Sequence, residues 1–255
     1  MSTYGLWLST AGLRVNEHRQ ALQANNMANV NTTGFKHDLA VVTQRPVESR
    51  ESPEGSGYAH PVLDGLSGGL NVRPTYHNFR QGPIEWTGRP LDVAIEGDGF
   101  FAVREGNATR YTRDGEFTLN ATGELVLAAG DGRVKVLAAD GSPIRVDSEG
   151  GRVDVSTDGT IRQGENVVAQ LALVTAEDKA VFQKVGRNLF DADANRVQPS
   201  EAMLRPESRE RSNLDIVQGL ASMIETSRAY EFNARMIQLQ DQMTDRTVNT
   251  VGRMA

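Results

Sequence analysis

From Ser212 to Met254 the chain has no proline, and apolar residues recur at helical spacing. Ile216, Met223, Tyr230, Ile237, Thr244 and Val251 stand seven apart, and Leu220, Ser227, Ala234, Asp241 and Val248 fall four residues further on. This is a heptad seam of about five repeats, weakened at Ser227, Asp241 and Thr244. Ser212 and Asn213 are both good N-cap residues and predict the helix start. A helix of roughly 40 residues is ~60 Å long. That exceeds the width of any small domain the remaining chain could build, so the helix must lie along something extended, in this chain or in a neighbour.

A second helix is predicted from Thr3 to about Val30. Leu8, Val15 and Leu22 are seven apart, with Leu6 and Leu13 alongside. Asn25, Asn26, Asn29 and Asn31 crowd its end, before Thr32, Thr33 and Gly34, residues suited to helix termination. Helices at both ends of the chain imply that the two pair with each other. Between them, Arg45–Gly82 holds Pro46, Pro53, Pro61 and Pro74 among several glycines and reads as an extended arm. A β region follows from about Ile84 to Arg205. Asp-Gly occurs at 98–99, 114–115, 131–132, 140–141 and 158–159, each a hairpin signal. Leu91–Ile95 alternates as a strand, and Val167–Val174 is apolar enough for a central one. The expected fold is α+β: long terminal helices pairing as a coiled-coil-like α domain around an antiparallel all-β middle. The expected parts are 1–40 (N-terminal helix), 41–82 (arm), 83–208 (β domain) and 209–255 (C-terminal helix).

Composition narrows the function. Net charge is −6, which argues against a dedicated nucleic-acid binder. With no cysteine, disulfides, thiolate zinc sites and cysteine nucleophiles are excluded. His18, His37, His60 and His77 form no paired metal-ligand spacing. No run of about 18 apolar residues predicts a membrane span, and the first twenty residues do not read as a Sec signal. Gly65–Gly69 matches Gly-x-Ser-x-Gly, but its loop flanks and the lack of a suitable acid and histidine make it a flexible loop. Gly97-Asp98-Gly99 lacks the third glycine and the following helix of a phosphate loop, so it reads as a turn. Met223, Tyr230 and Met236 read as packing. No catalytic, cofactor or metal site assembles from these residues.

Three motifs, in order, carry a resemblance. Ala24-Asn25-Asn26-Met27-Ala28-Asn29-Val30-Asn31-Thr32-Thr33-Gly34-Phe35-Lys36 resembles the N-terminal signature of bacterial flagellar rod and hook proteins. Leu91–Phe101 (LDVAIEGDGFF) and Tyr111–Phe117 (YTRDGEF) are similar to the shared core of the rod members. Ser212–Val217, Met223–Glu231 and Gln240–Met243 are similar to their C-terminal helix. The length suits a proximal or a distal rod member and is short for a hook protein.

The resemblance implies a structural subunit of the flagellar basal-body rod in the periplasmic space, not an enzyme, with no cofactor. Its subunits would leave the cell through the flagellar type III export apparatus. They would polymerise helically, with copies of themselves and with other rod and hook subunits, into a hollow shaft that transmits torque and conducts exported subunits. No nucleic acid or membrane insertion is expected. The expected assembly interface comprises Leu8, Val15, Leu22, Asn25, Asn26, Asn29, Gly34, Phe35, Ile216, Leu220, Met223, Ile224, Tyr230, Ala234, Ile237, Val248 and Val251. The arm would sit between neighbouring subunits. The competing expectation is a soluble β-rich binding module closed into a dimer or trimer by its C-terminal helix.

Overall fold

Proline-free, glycine-poor stretches at both ends form long helices, and the glycine-rich middle forms antiparallel sheet. The computed structural model describes residues 3–45, 69–147 and 150–251. Most of the arm lies outside the described residues, including His60 and Gly65–Gly68 of the Gly-x-Ser-x-Gly match. The chain divides into two compact units: Met1–Met27, Asp38–Tyr76 and Asp215–Ala255 form one, and Ala28–His37 and His77–Leu214 the other.

The helical unit contains α1 (Thr3–Ala28) and α2 (Ile216–Val251). At 1.5 Å per residue the 36 residues of α2 span about 54 Å. Asp215 caps it: its Oδ1 accepts from Val217 N at 2.9 Å and Gln218 N at 3.1 Å, satisfying two of the first-turn amides. The helix therefore starts after Ser212 and Asn213, the caps expected from sequence; both are engaged in the β unit. Strands β1 (Val42–Gln44) and β2 (Leu70–Val72) form an antiparallel ribbon at the base of the arm, closed by Arg45 N donating to Gly69 O at 2.8 Å. Gly69 lies against the Trp7 ring, where a Cβ would come within 2.7 Å of it.

In the β unit, β3 (Ile84–Trp86) pairs with β18 (Ser208–Glu210), and β4 (Val93–Glu96) pairs with β17 (Met203–Pro206). The main sheet has nine strands. Its path runs β14 (Gln183–Gly186), β15 (Leu189–Asp191), β6 (Ala108–Thr112), β5 (Phe100–Glu105), β9 (Val134–Val136), β8 (Leu125–Leu127), β7 (Phe117–Leu119). β13 (Leu173–Thr175) joins β5 and β16 (Gln198–Pro199) off that path. A smaller sheet orders β10 (Val153–Val155), β11 (Thr160–Gln163) and β12 (Asn166–Gln170). All these pairings are antiparallel.

β5 organises the core. Its side chains alternate between faces. Phe101 and Val103 enter an aliphatic core with Val93, Leu125, Val136, Ile161 and Leu204. Phe100 and Ala102 enter an aromatic one with Tyr111, Phe182 and Phe190. Both faces being covered, β5 reads as a continuous apolar run.

Three expectations change. Of the five Asp-Gly pairs, those at 131–132, 140–141 and 158–159 turn the chain between paired segments, with positive φ at each glycine. Asp98-Gly99 and Asp114-Gly115 instead connect strands that do not pair with each other. Gly115 is required for close approach, because a Cβ there would run into the Val93 carbonyl. Leu91–Ile95 does not alternate in burial: Asp92 through Ile95 are all buried. Val167–Val174 is two strands broken at Leu171-Ala172, and Val167 is exposed on the edge strand β12.

Gly115→Ala should therefore destabilise the β unit by roughly 2–3 kcal/mol through forced backbone displacement. Val167→Thr should change stability by less than about 0.5 kcal/mol. Urea unfolding of the two variants beside the parent checks both values.

Candidate functional site

The N-terminal signature ends in the β unit as a buried ionic knot. Lys36 Nζ lies 2.7 Å from Glu210 Oε1, and Arg113 Nε lies 2.7 Å from Glu210 Oε2, with all three side chains almost wholly buried. Gly82 N donates to the same Glu210 Oε1 at 2.6 Å, and Lys36 Nζ also donates to Arg80 O at 2.8 Å. The remaining Arg113 nitrogens donate to the carbonyls of Gly99 and Gly97. Burial pushes the Lys36 ammonium down to about 8, partly opposed by Glu210. Gly34 N donates to Glu210 O at 2.7 Å, and Lys184 Nζ sits 3.9 Å above the Phe35 ring.

Asn213 extends the knot. Its Oδ1 accepts from His37 N at 2.9 Å, and its Nδ2 donates to Asn78 O at 2.7 Å and Arg80 O at 2.9 Å. The Thr33–His37 segment, the Asn78–Gly82 segment and the Glu210–Asn213 segment are thereby fastened together. None of these polar roles follows from local spacing, since Lys36 and Glu210 are 174 residues apart.

In the helical unit, Gly5 and Gly12 of α1 meet α2. A Cβ on Gly5 would lie 2.9 Å from Gln240 Nε2, and one on Gly12 would lie 3.1 Å from Asn233 Nδ2. Seven residues forward on α1 thus correspond to seven back on α2. Along α2 the covered side is centred on Gly219, Met223, Thr226, Tyr230, Asn233, Ile237 and Gln240, with Ser222, Ser227, Ala229, Ala234 and Met236 half-buried beside them. The set Met223, Tyr230, Ile237 agrees with the expected seam. The other half divides, Ser227 and Ala234 being half-buried and Leu220, Asp241 and Val248 exposed, as is Thr244 of the first half. Polar and small residues take their place, which an apolar pattern does not reveal.

The other expected interface residues divide in the same way. Val15 and Asn26 are buried, and Leu8, Leu22 and Asn29 are half-buried. Asn26 exchanges hydrogen bonds of 2.8 and 2.9 Å with the Asp38 backbone. Gly34 and Phe35 are buried in the β unit, Ala234 is half-buried, and Asn25, Ile216 and Ile224 are exposed. Val251 lies at the end of α2, its side chain outside the described set. At 3.6 residues per turn, exposed Val217, Leu220, Ile224 and Leu239 lie opposite Thr226 and Asn233, with Phe232 and Met243 on their flank. α2 therefore covers a mixed face, Met223, Tyr230 and Ile237 among Gly219, Thr226, Asn233 and Gln240, and leaves Val217, Leu220, Ile224 and Leu239 exposed among Arg228, Glu231 and Arg235 on the other.

The ionic knot predicts the outcome of one substitution. Glu210→Ala strands two buried cations and should cost about 3–5 kcal/mol, measured by denaturant unfolding. Lys36→Met added to Glu210→Ala should recover part of that loss.

Comparison with known proteins agrees with this architecture. Residues 94–163 match the family described as flagellar hook protein FlgE/F/G D1 domain, and residues 207–250 match flagellar basal body rod FlgEFG protein C-terminal. The flagellar basal-body rod protein FlgF of Caulobacter vibrioides is 36% identical over 91% of this chain and 91% of its own length. FlgG rod proteins from Buchnera aphidicola (Acyrthosiphon pisum subspecies) and Bacillus subtilis are 32% and 30% identical, covering 93% and 96% of this chain and 96% and 97% of their own lengths. No helix among the described residues is long and apolar enough to cross a membrane. With its antiparallel core, its C-terminal helix and relatives of this kind along nearly its whole length, the chain belongs to the flagellar basal-body rod protein family.

Proposed function

We propose that this chain is a structural subunit of the flagellar rod that polymerises helically, with itself and with adjoining rod and hook subunits, into a hollow shaft transmitting torque and conducting exported subunits. The observation that carries the reading is the outward apolar face of α2. Val217, Leu220, Ile224, Phe232 and Leu239 are each more than two-fifths exposed, although they are the largest apolar side chains of that side of the helix. Exposed large apolar side chains gathered on one side of a helix, here interspersed with Arg228, Glu231 and Arg235, are the mark of a partner surface. α1 covers the other side, where Met223, Tyr230 and Ile237 alternate with Asn233 and Gln240. Its own exposed positions combine Arg14, Glu17, Arg19 and Asn25 with small Ala21, Ala24 and Ala28, and Leu6 and Trp7 are its large exposed apolar side chains. Unlike faces meeting head to tail do not close on themselves, and such contacts propagate into open helical polymers.

In this reading the helices of the expected parts 1–40 and 209–255 build the inner layer, pairing in coiled-coil fashion, and residues 83–208 build the outer layer, which Ala28–His37 and residues 209–214 join. The arm lies between neighbours. Export is through the flagellar type III apparatus. The relatives named as rod proteins support the basal body as the place of action.

Ile224→Asp separates assembly from folding. The side chain is exposed in the single chain, so thermal unfolding should move little. In the assembled shaft the charge would be buried without a partner, at a cost of several kcal/mol per contact. The expected result is secreted or cytoplasmic protein of normal stability and loss of swimming. Ile237→Asp, on the covered side, should loosen the helix pair in the single chain. Normal swimming with Ile224→Asp would overturn the proposal. A fixed small oligomer by light scattering of concentrated protein, in place of open-ended rods in electron micrographs, would favour a closed module.

A further inference from the structure

Two motifs of the β unit, Leu91–Phe101 and Tyr111–Phe117, bring three carboxyls to one corner. Asp92 and Glu116 face each other across an isolated β-bridge. Arg89 serves both: its Nε donates to Asp92 Oδ2 at 2.9 Å, and its Nη2 pairs with Glu116 Oε1. Asp114 is 5% exposed. Its Oδ1 accepts from Glu116 N at 3.0 Å, and among the described residues it has no cationic partner.

The neighbouring cations are committed elsewhere. Arg113 is held by Glu210 and the Gly97 and Gly99 carbonyls, and Lys36 by Glu210. Arg209 pairs with Glu85 and acts on Glu116. Burial pushes the Asp114 carboxyl up to about 7, with the Glu116 and Asp92 charges adding to it and the Glu116 amide opposing.

The corner is also where the N-terminal signature seats. Gly34, at φ 65°, rests on the Arg113-Asp114 peptide so closely that a Cβ would run into the Arg113 carbonyl. Thr33 Oγ1 donates to Glu116 Oε2 at 3.1 Å, and Asn188 Nδ2 donates to Thr33 O at 2.8 Å. A negative charge on Asp114 would stand on the residue whose peptide Gly34 rests on, bonded to the amide of the residue that holds Thr33 and beside two further carboxylates, in low dielectric.

We propose that the Asp92–Asp114–Glu116 corner is a proton-controlled clamp on the Thr33–Gly34 loop: uncharged Asp114 lets the loop seat, and its ionisation loosens the loop. A carboxyl raised in the folded state binds more protons there than in the unfolded chain between about pH 4 and pH 7. Its contribution to stability is therefore complete in acid and is lost as pH rises through 7.

The test is amide hydrogen exchange of the full chain at pH 5 and pH 8, corrected for intrinsic rates, with urea unfolding in parallel. Protection of the Gly34–Lys36 amides should fall at least tenfold between the two pH values, while that of the β5 amides changes far less. Asp114→Asn should hold the low-pH protection at both. Equal pH dependence in the parent and Asp114→Asn, or loosening spread evenly over the β unit, would overturn the clamp. Should the variant not fold, carbon-13 titration of the parent's aspartates decides: an Asp114 midpoint near 7 with matching loop loosening supports it, and a midpoint near 4 overturns it.

Discussion

One carboxylate holds the β unit's polar interior together. Glu210 neutralises Lys36 through one oxygen and Arg113 through the other, and still accepts the Gly82 amide. A buried ion pair contributes little net stability against an apolar substitute, yet removing one member is severe. Its effect here is to specify which distant segments meet. The signature segment, the chain entering the β region and the strand leaving it all depend on this side chain for charge balance. The Arg113 guanidinium adds the carbonyls of the Gly97–Gly99 turn to the same group. Four stretches with no local reason to associate are thus fixed by a single acid.

The helical unit follows an opposite rule. Gly5 and Gly12 let α2 come close, and Asn233 and Gln240 meet them with amides. Amides thus share the covered side with Met223, Tyr230 and Ile237, and among the described residues the buried oxygens of Gln23 and Gln240 have no hydrogen-bond partner. Such a contact is weaker than one of leucines of similar area. Several large apolar side chains of α2, Val217, Leu220, Ile224, Phe232 and Leu239, are left on the outer side, as suits a helix whose stability is completed by a neighbour.

This inversion explains what could be read from the sequence. Long helices, an antiparallel middle and several hairpins follow from proline, glycine and periodicity, and they are present. The seam register was half legible, because Met223, Tyr230 and Ile237 are apolar and covered, whereas Gly219, Thr226, Asn233 and Gln240 are covered and carry no apolar signal. Asn213 looks like a helix cap because asparagine favours that role. It is instead consumed by three backbone groups of remote segments, and Asp215, two residues later, caps the helix. Lys36, Arg113, Asp114 and Glu210 look like surface charges in one dimension. Only folding shows that they are interior groups whose partners lie far along the chain.

The ribbon at the base of the arm brings Arg45 and Gly69 within one hydrogen bond of each other. Departure and return thus occur at a single doorway. Chain added between these two residues changes the closure entropy only logarithmically, by about 0.6 kcal/mol for each doubling of length, and leaves every pairing outside the doorway in register. The molecule therefore has a built-in graft point. Sequence of almost any length can be exchanged there without renegotiating the helices or the sheets of the single chain.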